Sequence, residues 1–111
     1  MISRIAGKAF TDEVLKSSQP VLVCFTGPQC EVCFPLCLII SSLVEEYDRR
    51  LKFVRLDADI EPELMERYRI RALPSTVLFK DSKPVSKLVG FHHKASVRRW
   101  LDRFIGGTQC V

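Results

Sequence analysis

The longest apolar stretch of this 111-residue chain, FPLCLII, falls far short of the roughly 18–20 residues that a membrane-spanning helix needs. The amino terminus, MISRIAGKAF, lacks both a continuous apolar segment and a small-residue cleavage site, so it does not read as a secretory signal. The expected location is the cytoplasm. There, five cysteines point away from structural disulfides and toward redox or metal chemistry. Also missing is any aromatic-studded basic stripe, although arginines gather at Arg67, Arg69 and Arg71 and again at Arg98, Arg99 and Arg103. The formal charge of +4 is mild, and nucleic acid is not an expected partner. Neither an internal repeat nor a low-complexity linker interrupts the chain. One domain over residues 1–106 is expected, with residues 107–111 as a flexible tail.

What the chain does have is a clear order of elements. Pro20–Thr26, PVLVCFT, is a continuous apolar, β-branched run, the mark of a strand buried on both faces. After the Gly27-Pro28 turn signal, Leu36, Ile40, Leu43, Val44 and Tyr47 recur at helical spacing and predict an amphipathic helix to about Asp48. Leu51–Asp57 alternates as a strand, and Pro62 with Leu64 and Tyr68 begins a short helix. Ser75–Lys80 and Val85–Gly90 read as a hairpin across the turn DSKP. Val97, Trp100, Leu101, Phe104 and Ile105 give a closing helix stopped at Gly106-Gly107. Ahead of these, ISRI suits a short edge strand and AFTDEVLKS a helix. Strands separated by helices imply parallel pairing with right-handed crossovers, and the hairpin adds an antiparallel edge. The sum is a three-layer α/β/α sandwich around a mixed sheet of about five strands, with four helices.

The chemistry concentrates in GPQCEVCFPLC, where Cys30 and Cys33 fall between a buried strand and the start of the long helix. Unpaired N–H groups and a partial positive charge at a helix N-terminus stabilise a thiolate. A thiolate attacks disulfides, and a second cysteine one turn on can attack the resulting mixed disulfide and release the reduced partner. Cys30 is then the attacking residue and Cys33 the resolving one. Pro35 fits the first turn of a helix that begins near Val32 or Cys33, where a missing N–H leaves no gap.

At this point the sequence resembles the thioredoxin family over about Ile2 to Ile105. The resemblance rests on VLVCFT before the motif, on CEVC itself, on FVRLDAD in the next strand, and on YRIRALPSTVLFK and KLVGF further along. It implies the thioredoxin fold and dithiol–disulfide exchange, most simply reduction of protein disulfides in the cytoplasm by a monomer. No bound cofactor is implied, since a reversible Cys30–Cys33 disulfide would be the redox centre. Electrons would come from a thioredoxin reductase or a similar donor, and the partners would be disulfide-containing proteins rather than nucleic acid or membranes. The proline matching Pro74 is cis in the family and faces the cysteine pair, and the backbone at Leu73 pairs with bound substrate. Gly90 and Phe91 would line the same docking surface, flanked by Gln29, Glu31 and Val32.

The departures from the family pattern carry their own expectations. Gln29 stands where the family usually has Trp, and Glu31-Val32 replaces Gly-Pro. Cys24 occupies the place of a buried aspartate thought to accept the resolving cysteine's proton; Thr26 replaces another Trp, and Arg55 replaces Lys. Resolution at Cys33 is expected to be slower for want of that acid. Glu31 favours the helix terminus yet disfavours a thiolate at Cys30, so the redox potential is expected to differ from that of ordinary thioredoxin.

Alternatives stay open on residues alone. Cys30 and Cys33 could be inert core thiols, or with Cys37 they could form a metal–thiolate site, although a fourth ligand is not obvious. A peptide-binding module without redox activity is a further option. Cys37 reads either as a small core residue or as an auxiliary thiol able to trap Cys33, in a helical geometry near the upper limit for a disulfide. Cys24 and Trp100 read as core, His92 and His93 as solvated turn residues, and Cys110 as an exposed thiol in the tail.

Overall fold

The computed structural model describes residues 3–5, 9–47, 50–59 and 61–105. Five strands form one sheet: β1 (Ser3–Ile5), β2 (Val21–Thr26), β3 (Lys52–Asp57), β4 (Ser75–Lys80) and β5 (Lys83–Val89), in the spatial order β1-β3-β2-β4-β5. β1 and β2 lie parallel to β3, while β4 is antiparallel to β2 and β5 antiparallel to β4. Three α-helices pack around it, α1 (Cys33–Glu46), α2 (Pro62–Arg67) and α3 (Lys94–Ile105). A single π-helical turn at Thr11–Leu15 is the fourth helical element, closed by the Lys16 N–H on the Thr11 carbonyl five residues back. The helix expected over AFTDEVLKS is thus present, as a π-helical turn over Thr11–Leu15.

The continuous apolar run of β2 has a direct physical reason, because successive side chains enter opposite cores. Val21, Val23 and Phe25 join Phe10, Val14, Leu56, Leu64 and Phe79 in one buried cluster. Leu22 and Cys24 join Leu36, Cys37, Ile40, Tyr47, Trp100 and Leu101 in the other. The sheet thus carries one core on each face, with α1 and α3 covering one and the π-helical turn and α2 the other. Phe10, Tyr68 and Phe79 meet edge-to-face or tilted at centroid distances of 5.1–5.7 Å, an arrangement that aromatic quadrupoles favour. Trp100 is core as expected, and its indole N–H donates to Ser86 Oγ at 2.8 Å.

The hairpin differs from the sequence reading. β5 starts at Lys83, so the loop is only Asp81-Ser82, and both residues take positive φ (52° and 71°). A two-residue turn with left-handed backbone matches the twist of the flanking strands. Pro84 lies inside β5 rather than in the turn; β5 is an edge strand, where a missing N–H is tolerated. The register slips between Leu78 and Phe79, so a bulge places Ser86 and Pro84 opposite successive β4 residues. The predicted helix end at Asp48, the Gly106-Gly107 stop, the 107–111 tail and Cys110 lie outside the described residues.

Helices α1 and α3 meet along a seam that is apolar below and polar above. The Tyr47 ring is fully buried, and its hydroxyl donates to Asp102 Oδ1 at 2.6 Å. Burial first, and the Asp102 carboxylate second, push the Tyr47 phenol upward from its ordinary range. Further out, Glu46 accepts from Lys94 (2.9 Å) and Arg98 (2.6 Å), which together lower its carboxyl from the usual range. Tyr47→Phe removes a hydrogen bond to a charged group whose remaining partner is half-buried and can regain water. The expected loss is about 1.5 kcal/mol, at the low end for such bonds, read as a lower urea midpoint at unchanged slope.

Candidate active site

The three parallel strands end on the same side of the sheet, and ligand sites of open α/β sheets form outside those carboxyl ends. From Thr26 the chain leaves β2 through a tight turn in which the Cys30 N–H donates to the Gly27 carbonyl and the Cys33 N–H to the Cys30 carbonyl, both at 3.3 Å. α1 begins at once, with Val32 as its N-cap. Pro35 is then the third residue of the helix, where the lost N–H costs no intrahelical bond.

Cys30 and Cys33 are joined, with an S–S distance of 2.06 Å and Cα atoms 5.4 Å apart. The two halves of the disulfide differ in access. Cys33 is only 5% exposed, tucked under the start of α1, whereas Cys30 is partly exposed. A cleft of about 470 Å3 opens beside Cys30, lined also by Gly27, Pro28, Gln29, Asp59 and Leu73.

Leu73 precedes a cis peptide bond to Pro74, which is buried. The Pro74 carbonyl accepts from the Gly90 N–H at 2.7 Å, which ties the end of β5 to the start of β4. Gly90 has φ 83°, a left-handed conformation that a side chain would strain. Gly27 serves differently: a Cβ there would lie 2.8 Å from Leu73 Cδ1, so its bareness lets the two loops close on each other. Phe91 packs against the α1–α3 core and meets His93 edge-to-face at 5.2 Å. Gln29, Glu31 and Val32 are exposed around the start of α1.

The structure therefore brings Gln29, Cys30 and Leu73 into one cleft, with Pro74 and Gly90 joined directly behind Leu73. Glu31 and Val32 lie across the helix start, and Phe91 borders the core beneath. Asp59 was not singled out from the sequence. Its only signal was position, two residues past the end of β3 on the side where the site forms. Its backbone N–H donates to Asp57 Oδ1 at 3.0 Å, a local turn that carries the chain to the rim of the cleft.

Beneath the disulfide the two remaining described cysteines are free and buried. Cys24 lies in a cross-strand row between Arg55 on β3 and Thr76 on β4, and Thr76 Oγ1 reaches its sulfur at 3.6 Å. The Cys24 and Cys37 thiols interact; this contact, more than burial, raises Cys24 well above the ordinary thiol range, and the same contact lowers Cys37. Arg55 favours negative charge on both. Among the described residues no group of three or more His, Cys, Asp or Glu side chains is arranged to hold a metal ion.

A disulfide open on one sulfur and closed on the other, held where a buried strand feeds a helix, is built for thiol–disulfide exchange; the chain is a thiol–disulfide oxidoreductase. The family model described as Thioredoxin matches residues 1–103. The chain is 35% identical over 105 residues to a thioredoxin of Rickettsia bellii, covering 95% of this chain and 100% of that one. Thioredoxin 1 of Synechococcus elongatus is 32% identical over 101 residues, 91% of this chain and 94% of its own. The chloroplastic thioredoxin X of Arabidopsis thaliana is 35% identical over 103 residues, 91% of this chain and 57% of that one. The chain belongs to the thioredoxin family, and the inert-thiol, metal–thiolate and redox-inactive readings are not favoured.

Proposed function

We propose that the protein reduces disulfides of other proteins, with Cys30 attacking and Cys33 resolving. The observation that carries this reading is the unequal access of the two sulfurs: Cys30 lines the open cleft while Cys33 lies buried behind it. In the reduced state the Cys30 thiolate attacks a substrate sulfur, a mixed disulfide forms, and the substrate's other sulfur leaves. Cys33 then attacks Cys30 Sγ, the reduced substrate departs, and the Cys30–Cys33 disulfide remains. That disulfide is the redox centre, and no further cofactor takes part.

An extended substrate segment would lie along Leu73, Pro74, Gly90 and Phe91, with Gln29, Glu31 and Val32 framing the helix side. Glu31 and Asp59 put negative charge near the cleft and favour partners with neutral or basic surroundings. Position 24 offers a thiol in place of a carboxylate, so Cys33 gives up its proton without a buried acid–base helper, and resolution is the slower step. A thioredoxin reductase or equivalent donor would restore the dithiol. We place the protein in the cytoplasm as a monomer of one domain.

The test is an equilibrium titration in dithiothreitol redox buffers, read by mass spectrometry of alkylated cysteines. A reversible Cys30–Cys33 couple near roughly −270 mV marks a general reductant. A clearly less negative potential reassigns the protein as an oxidant or isomerase, and failure to form the disulfide at any poise removes the redox reading.

A further inference from the structure

Four cysteines descend in order from the surface to the sheet. Cys30 lines the cleft, Cys33 is 5% exposed, Cys37 is 2% exposed one helical turn further along α1, and Cys24 on β2 is fully buried. Cys37 and Cys24 share one core cluster with Leu22, Leu36 and Ile40, and their thiols interact across the gap between helix and sheet. The row beneath is polar for a core, with Arg55 on one side of Cys24 and the Thr76 hydroxyl on the other. Nothing in the reduction of substrates by Cys30 and Cys33 uses this second pair of thiols.

We propose that Cys24 and Cys37 are an internal dithiol that re-reduces the Cys30–Cys33 disulfide, so that one chain holds four exchangeable electrons instead of two. The proposal rests on Cys30 and Cys33 being the reactive pair. In the first step Cys37, as thiolate, attacks Cys33 Sγ; the Cys33–Cys37 bond forms, the Cys30–Cys33 bond breaks, and Cys30 leaves and takes up a proton. In the second step Cys24 gives up its proton and attacks Cys37 Sγ; the Cys24–Cys37 bond forms and Cys33 leaves as a thiol. Two electrons pass from the buried pair to the outer pair, two protons follow them, and no outside oxidant or reductant enters.

Geometry suits this order. Residues four apart on a helix have Cα atoms about 6 Å apart, inside the range for a disulfide but near its upper end, which makes Cys33–Cys37 a transient link. Cys37 shares α1 with Cys33 one turn away, while Cys24 lies deeper on β2, so Cys37 is the member of the pair placed to attack, and its contact with Cys24 lowers it in the same sense. Arg55 steadies the charge while it is there. A Cys24–Cys37 link would bridge strand and helix within the closed core, out of reach of an external thiol until Cys33 relays to it.

The experiment uses the full chain with Cys110→Ser, so that four cysteines remain. The anaerobically reduced protein is given a large excess of oxidised glutathione, quenched in acid, denatured, alkylated and mapped by mass spectrometry. The expected result is two glutathione disulfides reduced per chain and a recovered Cys24–Cys37 linked peptide. In a second chain that also carries Cys33→Ser, formation of that link is expected to slow by about tenfold or more, because the relay is gone. If only one equivalent is reduced and Cys24 and Cys37 are both alkylated, the internal dithiol is overturned while the Cys30–Cys33 chemistry stands. The same holds if the link forms equally fast without Cys33. If no Cys30–Cys33 disulfide forms at all, both readings fall together.

Discussion

Cys33→Ser is expected to stop the protein at a covalent adduct. Offered a disulfide substrate, the variant should accumulate a mixed disulfide at Cys30 approaching one per chain, and turnover in an insulin-reduction assay should fall below detection. The introduced serine presents a hydroxyl, which does not displace a thiolate from sulfur, while Cys37 lies a turn deeper and only 2% exposed. The complementary Cys30→Ser variant should give neither adduct nor turnover, because Cys33 is closed off from the cleft. Mass spectrometry of the intact protein separates the outcomes. An adduct at Cys33 in the Cys30→Ser chain would reverse the assigned roles.

The second large effect concerns the core that holds this site in place. Phe25 is fully buried in the central strand β2, just before the turn that carries Cys30, and shares its cluster with Val14, Val54, Leu56 and Phe79. Phe25→Ala should destabilise by about 3–5 kcal/mol and lower the melting temperature by about 12 °C or more. For a domain of ordinary stability, about 5–15 kcal/mol, that is a large share of the total. Leu38→Ala provides the contrast. Leu38 is 53% exposed on the outer face of α1, and its truncation should shift stability by no more than about 0.5 kcal/mol. Urea denaturation at matched redox state measures both, and equal effects would show that the two-sided core has been misjudged.

Much of this architecture was open to reading from the chain itself, and the reasons are physical. Burial on both faces forces a run such as VLVCF to be apolar throughout, so β2 announces itself. The turn-to-helix junction at Cys30 was equally plain, since Gly27-Pro28 and an early Pro35 allow few other geometries. The hairpin turn was harder. Asp81-Ser82 lacks the glycine that usually marks left-handed turn positions, and Pro84 invited a turn where an edge strand accommodates it. The Cys24–Cys37 contact depends on the angle at which α1 crosses the sheet, a quantity no local pattern encodes. Read singly, Cys24 was core filler, and Cys37 either core or an auxiliary thiol toward Cys33, with nothing to pair the two. Asp59 escaped notice for a related reason, because a charged residue in a loop acquires meaning only when the cleft beside it exists.

The bulged outer strand β5 has a consequence for how the protein behaves in a crowded solution. A flat edge strand offers its unused N–H and C=O groups to any extended chain and can seed intermolecular sheets. Here that edge carries Lys83, Pro84 and Lys87, and the bulge breaks its repeat, so Val85 and Val89 are exposed without a regular backbone template beside them. Aggregation by strand addition is discouraged along that side. The extended substrate segments proposed above are thereby refused along the margin of the sheet, which leaves the rim at Cys30 as the proposed place of engagement.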